Sequence, residues 1–503
     1  MSMPVNRATR LADLLAGYTL DSQLPEIEIR SVSTSSASIQ PGSLFIALQG
    51  LKTHGIDHAA DAVKAGACVV IFDANDDYGL HRLPLLQKQV DCHWIPVKNL
   101  EAAQGHIVSR FYGNPGQCMT MIGVTGTDGK SSVTHLLIQA LARMGKTSGS
   151  IGTLGYGINN QLTPDYLTTP DVVSLQSRLA EFVEQKCELV VMEVSSHALQ
   201  QHRTNGCDFN LALLTNLGRD HLDYHGDMAA YAAAKSRLFQ EFDLSARILN
   251  LDDDLGRDLA LQDSPSELIT YSMDPASKAD VKLLQCDIDE SGHHMVIETS
   301  LGEIALDSRL IGEFNIANIL ACIASLQALG FDFDSLQSAV SDLKPIPGRM
   351  ERFAAGVDQP AALVDFAHTE QALRACLNAS RRHVEGEIWC VFGCGGDRDP
   401  GKRSGMGRAA ETLAEHAIVT DDNPRHESPE RIVRDILSGM DNPQSATVIH
   451  DRRAAIIHAI TSAAPGDLVV IAGKGHEQDQ IVGDERRPFN DRDVVRQIFE
   501  GVS

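Results

Sequence analysis

Short apolar runs alternate with longer amphipathic segments along most of the chain. The runs that are rich in β-branched residues and end in polar or glycine-rich loops are predicted to be strands, at 43–48, 68–72, 119–124, 189–194, 211–216, 363–366, 388–392, 417–420 and 467–472. Strands that alternate with helices in this way are typical of α/β layers with largely parallel sheets. Residues 251–310 are more polar and alternate, which predicts a strand-rich insertion or edge region.

Two clusters of turn residues divide the chain. GNPG at 113–116 and KPIPG at 344–348 disfavour both a helix and a central strand. Cuts at these points predict three domains, 1–116, 117–345 and 346–503, each of ordinary domain size. The expected fold class is α/β, with a central P-loop-type domain on a parallel sheet and a C-terminal Rossmann-like domain.

Composition narrows the class of protein. The 503 residues include 43 Lys plus Arg against 67 Asp plus Glu, a net charge of −24, which argues against nucleic-acid binding through a broad basic surface. A hydrophobic content of 43% is sufficient for a packed core. The ten cysteines form no CxxC pair, and the sequence has no continuous apolar segment of signal-peptide or membrane-spanning type. We therefore expect a cytoplasmic protein that does not span a membrane.

A glycine-rich turn follows the most regular strand. In MIGVTGTDGKSSVTHLL, Gly126 and Gly129 allow the backbone to approach an anion at a helix N-terminus. Lys130 supplies a positive charge, and Ser131 supplies a hydroxyl for Mg²⁺. The spacing departs from the full P-loop pattern because Val124 stands where the first glycine is expected. We predict a nucleotide-phosphate site here.

A carboxylate ends the next strand, LVVME. Glu193 is well placed to reach the Mg²⁺ of a nucleotide bound at the same sheet edge. Ser195, Gln201 and Arg203 follow it and suit a polyhydroxylated or phosphorylated ligand. The alternative is that Ser195 or Ser196 simply caps a helix.

A third polar loop follows the strand LALLTN. It contains Asp220, His221, Asp223 and His225, and the helix after it carries Lys235. This spacing is compatible with a transition-metal site, but beside a phosphate loop a second hard-cation site is favoured. From the residue pattern alone, Lys235 is interpreted as an ordinary surface lysine.

Three further loops follow apolar strands near the C-terminus: GCGGDRD, DDNPRHE and GKGHE. Loops after parallel strands converge at one sheet edge, so Arg398, Arg425 and Glu477 are expected to face a shared crevice. Two arginines and one acid suit a zwitterionic substrate with carboxylates and an ammonium group. A nicotinamide-binding fold is a weaker alternative, because the GxGxxG spacing is absent.

Taken together, these motifs resemble those of the Mur ligases, in the form that adds meso-diaminopimelate. GTDGKSS, MEVSSHALQQHR, TNLGRDHLDYHG with AYAAAKSRLF, PGRME, GCGGDRD, DNPR and GKGHE occur in family order over nearly the whole chain. The resemblance implies ATP-dependent joining of meso-diaminopimelate to the D-Glu carboxylate of UDP-MurNAc-L-Ala-D-Glu, through an acyl phosphate, in peptidoglycan precursor synthesis. It also implies ATP as co-substrate and Mg²⁺ as cofactor. We expect a monomer.

The resemblance implies roles for individual residues. Those implied to contact ATP are Gly126, Thr127, Asp128, Gly129, Lys130, Ser131, Ser132, Asn318 and Arg349. Those implied to contact the UDP-MurNAc-dipeptide are Ser36, Thr168, Thr169, Ser195, Gln201 and Arg203. Those implied to contact diaminopimelate are Arg398, Asp422, Asn423, Pro424, Arg425, Gly473 and Glu477. Those implied to be catalytic are Lys130, Glu193, His221 and Lys235.

The implied Mg²⁺ ligands are Ser131, Glu193, His221 and Lys235, the last as a carbamate formed with CO₂. This family position reverses the surface interpretation of Lys235. Two segments depart from the family pattern: Asp128 replaces an asparagine, and Ser35-Ser36-Ala37 replaces DSR while Ser36 keeps the hydroxyl.

Three other functions remain as alternatives. One is a different amide ligase of the same superfamily, such as a folylpolyglutamate synthetase or a sibling Mur ligase. The second is a P-loop ATPase that drives a conformational change. The third is a scaffold without catalysis, which the presence of Lys130, Glu193 and Lys235 disfavours.

Overall fold

The computed structural model describes residues 8–21, 23–50, 53–165, 167–290, 292–354, 356 and 358–501. The chain forms two compact units. The first comprises Met1–Ser272 with Ala321–Ser335, and the second comprises Met273–Leu320 with Leu336–Ser503.

The N-terminal part of the first unit is a small parallel α/β layer. Its elements are β1 (Thr9–Arg10), α1 (Leu11–Leu15), β2 (Glu28–Ile29), β3 (Ser31–Ser33), β4 (Ser43–Ala47), α2 (Ala59–Ala65), β5 (Ala67–Asp73), α3 (Asp77–Gln89), β6 (His93–Val97) and α4 (Leu100–Phe111). The parallel sheet has the order β3-β4-β5-β6. Helices α1 and α4 cover one face and α2 and α3 the other. Because both faces are covered, β4 is apolar and buried along its length.

The remainder of the first unit is built on a larger sheet. Its elements are β7 (Thr120–Thr125), α5 (Lys130–Arg143), β8 (Ser148–Gly152), β9 (Gly155–Ile158), β10 (Gln161–Thr163), α6 (Val172–Glu184), β11 (Leu189–Glu193), α7 (Ser196–Gln200), β12 (Phe209–Leu214), α8 (Leu222–His225), α9 (Met228–Gln240), β13 (Ala246–Asn250), α10 (Asp254–Ala260) and β14 (Glu267–Ser272).

These strands have the order β10-β9-β8-β11-β7-β12-β13-β14. Pairing is parallel from β8 to β14, while β9 and β10 are antiparallel additions at the edge. Strand β7 lies between β11 and β12, so the loops after these three strands emerge at the same carboxyl edge. Helix α5 packs on β7, β8 and β11.

The second unit contains an antiparallel segment and a doubly wound layer. Its elements, with α11 and α12 shared between the units, are β15 (Val281–Asp289), β16 (Gly292–Thr299), β17 (Gly302–Ser308), α11 (Phe314–Ala328), α12 (Phe333–Val340), β18 (Glu351–Phe353), β19 (Ala361–Asp365), α13 (Glu370–Arg381), β20 (Ile388–Phe392), α14 (Gly401–Leu413), β21 (His416–Val419), α15 (Pro429–Leu437), β22 (Thr447–Val448), α16 (Arg452–Ser462), β23 (Leu468–Ala472), β24 (Asp479–Val482), β25 (Glu485–Pro488) and α17 (Asp491–Phe499).

Strands β19, β23, β20, β21 and β22 are parallel neighbours in that order, and β18 joins β19 antiparallel. Helices α13, α14 and α15 cover one face, and α16 and α17 cover the other. This is the Rossmann-like arrangement that the sequence predicts.

The predicted α/β class is confirmed, and each predicted strand overlaps a strand of the structure. The strand-rich interpretation of 251–310 is confirmed by β14 to β17. The apolar pattern missed β8, β9 and β10, because glycine, serine and polar residues make up most of them. The predicted domain boundaries stay predictions.

Within the described part of the chain, no helix has both the length and the hydropathy that crossing a lipid bilayer requires.

Candidate active site

The loop between β7 and α5 is held in shape by its neighbours. Gly126 has φ +147°, and a Cβ there would lie 1.8 Å from the Thr215 hydroxyl, so only glycine fits. Gly129, at φ +84°, is the N-cap residue of α5. The amide of Thr127 donates to the Asn216 carbonyl at 2.8 Å. The loop is therefore preorganised for a phosphate group at the helix N-terminus.

Asp128, the departure from the family pattern, is exposed at the tip of this loop. Its amide donates to Asn216 Oδ1 at 3.0 Å, and its carbonyl accepts from the Thr215 hydroxyl at 2.6 Å. The backbone of Asp128 is therefore fixed, while its carboxylate adds negative charge near Lys235.

Two lysines converge on one carbonyl of the loop. Lys130 Nζ lies 2.9 Å from the Gly126 oxygen and 2.8 Å from that of Thr127. Lys235 Nζ, from α9, lies 2.6 Å from the same Gly126 oxygen. Lys235 is only 1% exposed, so its interpretation as a surface lysine is wrong. Burial and the charge of Lys130 lower the pKa of Lys235 to about 6, which leaves its amine mostly neutral at pH 7.

Glu193 is buried at the end of β11 and held on both oxygens. Its Oε1 accepts from the Thr153 amide at 2.9 Å. Its Oε2 accepts from the Thr153 hydroxyl at 3.0 Å and from the Ser131 hydroxyl at 2.9 Å. A Cβ on Gly152 would lie 2.1 Å from Oε1, so glycine is needed beside this carboxylate. Sequence reasoning missed Thr153, because it follows β8, whose strand pattern is weak.

Hydroxyl and carboxylate oxygens are the ligands that Mg²⁺ prefers, and Ser131 and Glu193 present them side by side. His221 begins α8 with φ +52° and an exposed ring, 3.3 Å from a carboxylate oxygen of Asp220. Across the described residues, no group of three or more His, Cys, Asp or Glu side chains could hold a metal ion. The fit to Mg²⁺ rests on the oxygens of Ser131 and Glu193.

A hydrogen-bond network extends from Glu193 into the residues predicted for the UDP-linked substrate. The Thr169 hydroxyl donates to the Glu193 carbonyl at 2.8 Å and accepts from the Ser195 amide at 3.0 Å. Arg203 donates to the Thr169 carbonyl at 2.9 Å and to Gln201 Oε1 at 2.8 Å. These residues therefore form one continuous hydrogen-bond network, which Glu193 links to Ser131 of the phosphate loop.

Thr168 and Ser36 complete this predicted set. The hydroxyls of Thr168 and Thr153 are 3.0 Å apart, which joins Thr168 to the Glu193 cluster. Ser195 also accepts from the Ala198 amide at 3.2 Å, so the helix-capping interpretation is confirmed as well. Ser36 lies in a short 3-10 turn of the N-terminal layer and is partly buried.

In the second unit, the loops after β20, β21 and β23 meet. Asn423 donates to Glu477 Oε2 at 2.9 Å. Arg425 has φ +50° and donates to the Gly396 carbonyl at 2.7 Å. A Cβ on Gly473 would lie 2.7 Å from Asp422 Oδ2, so this glycine permits the close approach of two loops.

The remaining predicted residues of this set lie in the same loops. Pro424 is buried between Asn423 and Arg425, and Arg398 is exposed after β20. Sequence reasoning missed Lys474, which is completely buried and lies 2.7 Å from Glu477. Lys474 is the lysine of the GKGHE motif, from which only Gly473 and Glu477 were assigned a role.

Asn318 and Arg349, predicted for ATP, also belong to the second unit. Asn318 is buried in α11 and donates to Asn315 Oδ1 at 3.0 Å. Arg349 lies over the Phe366 ring, 5.3 Å from its centre. Its Nε is buried and has no hydrogen-bond partner among the described residues.

Family models match three successive segments of this chain. The model described as Mur ligase family, catalytic domain, matches 28–112; Mur ligase middle domain matches 124–326; and Mur ligase, glutamate ligase domain, matches 348–475. The chain belongs to the Mur ligase family, and the resemblance inferred from its motifs is confirmed.

Relatives narrow the comparison to one kind of ligase. UDP-N-acetylmuramoyl-L-alanyl-D-glutamate--2,6-diaminopimelate ligase of Pseudomonas putida is 43% identical over 471 residues, 92% of this chain and 93% of its own. The ligase of the same name from Alkalilimnicola ehrlichii is 43% identical over 97% of this chain and 98% of its own.

A solved structure of a ligase with this name is 34% identical, with a TM-score of 0.75 over 98% of this chain and 99% of that one. A folylpolyglutamate synthase of Mycobacterium tuberculosis, at 18% identity, has a TM-score of 0.59 over 73% of this chain and 91% of its own. This second likeness concerns the fold alone.

Proposed function

We propose that this protein joins meso-2,6-diaminopimelate to UDP-N-acetylmuramoyl-L-alanyl-D-glutamate, with ATP as co-substrate, in peptidoglycan precursor synthesis. The observation that carries the proposal is the position of Glu193. Its carboxylate accepts from Ser131 of the phosphate loop, and its carbonyl accepts from Thr169, one of the residues predicted for the UDP-linked substrate. Glu193 therefore links the phosphate site to the residues predicted for the UDP-linked substrate. Phosphorylation of the substrate's carboxylate requires that these two sites be neighbours. The names of the relatives supply the identity of both substrates.

The reaction then proceeds in two steps. The D-Glu carboxylate attacks the γ-phosphorus of ATP, which gives an acyl phosphate and ADP. The diaminopimelate amine attacks the acyl carbon, and the tetrahedral intermediate expels phosphate to leave an amide. Lys130 and the backbone amides at the N-terminus of α5 hold the phosphate oxygens by charge and hydrogen bonds.

Mg²⁺ would be held by Ser131 and Glu193, with His221 and a carbamylated Lys235, and it neutralises charge on the phosphates when bound. Thr153 and Ser131 keep the Glu193 carboxylate in place with three hydrogen bonds. Preorganisation of this kind reduces the rearrangement that ligand binding requires.

We further propose that Lys235 is carbamylated. Its neutral amine attacks CO₂, forms an N–C bond and releases one proton, so a neutral group becomes an anion. A pKa of about 6 supports this, because most of the amine is unprotonated at pH 7. The anion would lie beside Lys130, which approaches the same Gly126 carbonyl.

Carbamylation is tested by ¹³C NMR of the protein in ¹³CO₂-enriched buffer. We expect a carbamate resonance that Lys235→Met removes and that the exposed control Lys88→Met keeps. A spectrum without this resonance in the wild-type protein would contradict the modification, even if ligation were observed.

Arg425 and Arg398 would bind the carboxylates of diaminopimelate, and Glu477 its ammonium group. Diaminopimelate carries one carboxylate more than lysine. An arginine that pairs with this carboxylate would be left unpaired when lysine binds, so the site would reject lysine. The contact between Asn423 and Glu477 supports a shared amino-acid site formed by these loops.

We also infer that the protein acts as a monomer in the cytoplasm, where ATP and UDP-linked substrates are available. Uridine would bind the N-terminal domain near Ser36, ATP the central domain, and the amino acid the C-terminal domain. The domain limits 1–116, 117–345 and 346–503 are part of this proposal.

The deciding experiment is the product mass after incubation with ATP, Mg²⁺, UDP-MurNAc-L-Ala-D-Glu and meso-diaminopimelate. We expect the UDP-linked substrate to gain the mass of one diaminopimelate less one water. Parallel reactions contain lysine, D-glutamate or D-alanyl-D-alanine. A product with one of these and none with diaminopimelate would favour a sibling ligase.

A further inference from the structure

The second unit contains one lysine whose surroundings leave it no contact with solvent. Lys474 follows β23 and is 0% exposed. Its ammonium group donates to Glu477 Oε2 at 2.7 Å, to Asn423 Oδ1 at 3.1 Å and to the Asp479 carbonyl at 2.7 Å. An ammonium group has three N–H donors, so its hydrogen-bonding capacity is fully used. Lys474 itself therefore has no donor left for a substrate.

These contacts determine how Asn423 is oriented. Its Oδ1 accepts from Lys474 and also from the Ile481 amide at 2.9 Å. The amide nitrogen must therefore face the other way, where it donates to Glu477 Oε2 at 2.9 Å. Lys474 thus selects one of the two amide orientations of Asn423.

The same contacts leave the two oxygens of Glu477 in different states. Oε2 accepts from both Lys474 and Asn423. In the part of the chain that the structure describes, Oε1 accepts no hydrogen bond, and the Glu477 side chain is 35% exposed. Glu477 is therefore anchored through one oxygen and can offer the other to an ammonium group.

We infer that Lys474 is the positioning residue of the amino-acid site. It holds Glu477 and Asn423 in the arrangement that receives the ammonium group of the incoming α-amino acid, and it acts through Glu477 without touching the substrate. The inference rests on the proposed function, because it assigns the amino acid to these loops.

Electrostatics agrees with this geometry. Burial raises the pKa of Glu477, but the hydrogen bond and charge of Lys474, helped by Asn423, outweigh burial and hold that pKa below its usual value. The other charged groups near Glu477 are His476 and the buried Arg452. Arg452 is already paired with Asp491. Lys474 is therefore the main reason that Glu477 remains a carboxylate in a partly buried site.

The test is steady-state kinetics of Lys474→Met over a range of pH. We expect the KM for diaminopimelate to rise about tenfold or more, while kcat and the KM for ATP change by less than about threefold, as expected when an interaction that binds the ground state is removed. Without Lys474 the pKa of Glu477 rises. The KM for diaminopimelate should therefore begin to increase at a higher pH in the variant than in the wild type as the solution is acidified.

His476 is present in both proteins, so its own titration does not produce this difference. Lys278→Met, at an exposed lysine of the same unit, is the matched control and should behave as the wild type. In a Glu477→Gln background, Lys474→Met should add little to the KM, because its partner is already neutral.

Lys474→Gln, which keeps a hydrogen-bond donor, serves if the methionine variant does not fold. Thermal unfolding of each variant identifies loss of fold separately. An unchanged KM and pH profile in a folded variant, or additive effects in the Glu477→Gln background, would overturn the positioning role. If the wild-type protein forms no product with diaminopimelate, the proposed function fails, which is a distinct result.

Discussion

At the scale of single residues, the carboxylate of Glu193 owes its position partly to Thr153, which lies outside the recognised motifs. The Thr153 hydroxyl has one proton and gives it to Glu193, so the Thr168 hydroxyl must donate in its contact with Thr153. Thr168 therefore presents only acceptor lone pairs to a ligand. A substrate amide or hydroxyl group suits this position better than a carboxylate.

Thr153→Val tests this arrangement, because valine has a similar shape but no hydroxyl. One of the three hydrogen bonds to Glu193 is lost, and the backbone amide bond remains. We expect kcat to fall roughly tenfold to 100-fold, as is typical when support of a metal ligand is removed. The measurement is steady-state phosphate release with all substrates. Thr163→Val, at an exposed position of β10, should leave kcat unchanged; equal rates for both variants would contradict the role of Thr153.

Arg425 carries the second prediction at this scale. Arg425→Lys keeps the positive charge but loses the planar fork that binds a carboxylate through two hydrogen bonds. We expect kcat/KM for diaminopimelate to fall on the order of 100-fold, with a smaller loss for lysine, which has no second carboxylate. Arg486→Lys, on the exposed strand β25, is the control. An equal loss for both amino acids would show that Arg425 does not set this preference.

At the scale of elements, strands made of large apolar residues are easily identified, and strands made of small or polar residues are not. Strand β20 (IWCVF) is a short apolar run covered on both faces, so its hydrophobic pattern predicts it directly. Strand β8 (SGSIG) is equally buried, but its small residues lack the β-branched signature. A Cβ on its Gly149 would lie 2.7 Å from the Phe182 ring, so close packing of a helix excludes larger residues there.

Helices α16 and α17 are joined at their N-termini by a buried ion pair. Arg452 donates to both carboxylate oxygens of Asp491, at 2.8 and 2.7 Å, and to the Ala472 carbonyl at 3.0 Å. Both side chains are 0% exposed. Arg452→Ala would leave a buried carboxylate without its partner, and we expect a loss of about 3–5 kcal/mol in free energy of unfolding.

Chemical denaturation followed by circular dichroism measures this loss. Arg453→Ala removes the neighbouring arginine, which is exposed and bonded to Gln497. It should change the free energy of unfolding by less than about 0.5 kcal/mol. A similar small change for Arg452→Ala would show that the pair contributes little.

At the scale of the whole molecule, the net charge of −24 does not describe the sites. Lys130 lies at the phosphate loop, and Arg398 and Arg425 lie among the C-terminal loops. Local positive charge of this kind binds anionic substrates whatever the overall total. The acidic excess belongs to the remaining surface.

The arrangement of sites leads to a prediction for the complete enzyme. A ligase protects its acyl phosphate from water and should hydrolyse ATP only when both other substrates are present. With ATP and only one of the two other substrates, we expect phosphate release at less than about one hundredth of the rate of the complete reaction. This factor corresponds to a difference of roughly 2.7 kcal/mol in the activation barrier. Rapid ATP turnover without the UDP-linked substrate and the amino acid would favour the ATPase alternative.

The sequence by itself determined the α/β class, the order of the strands along the chain and the polar loops at their carboxyl ends. These features depend on local hydrophobic pattern and on glycine at turns, which are visible over a few neighbouring residues. Only the tertiary structure decided that Lys235 is buried, that Thr153 holds Glu193 and that Lys474 anchors Glu477. Lys235 is 109 residues from Gly126 in the chain, and Thr153 is 40 from Glu193. Even Lys474, three residues from Glu477, acquires its role from Asn423, which is 51 residues away. Burial and hydrogen bonding between distant segments arise only when the sheets assemble, so no local pattern contains them.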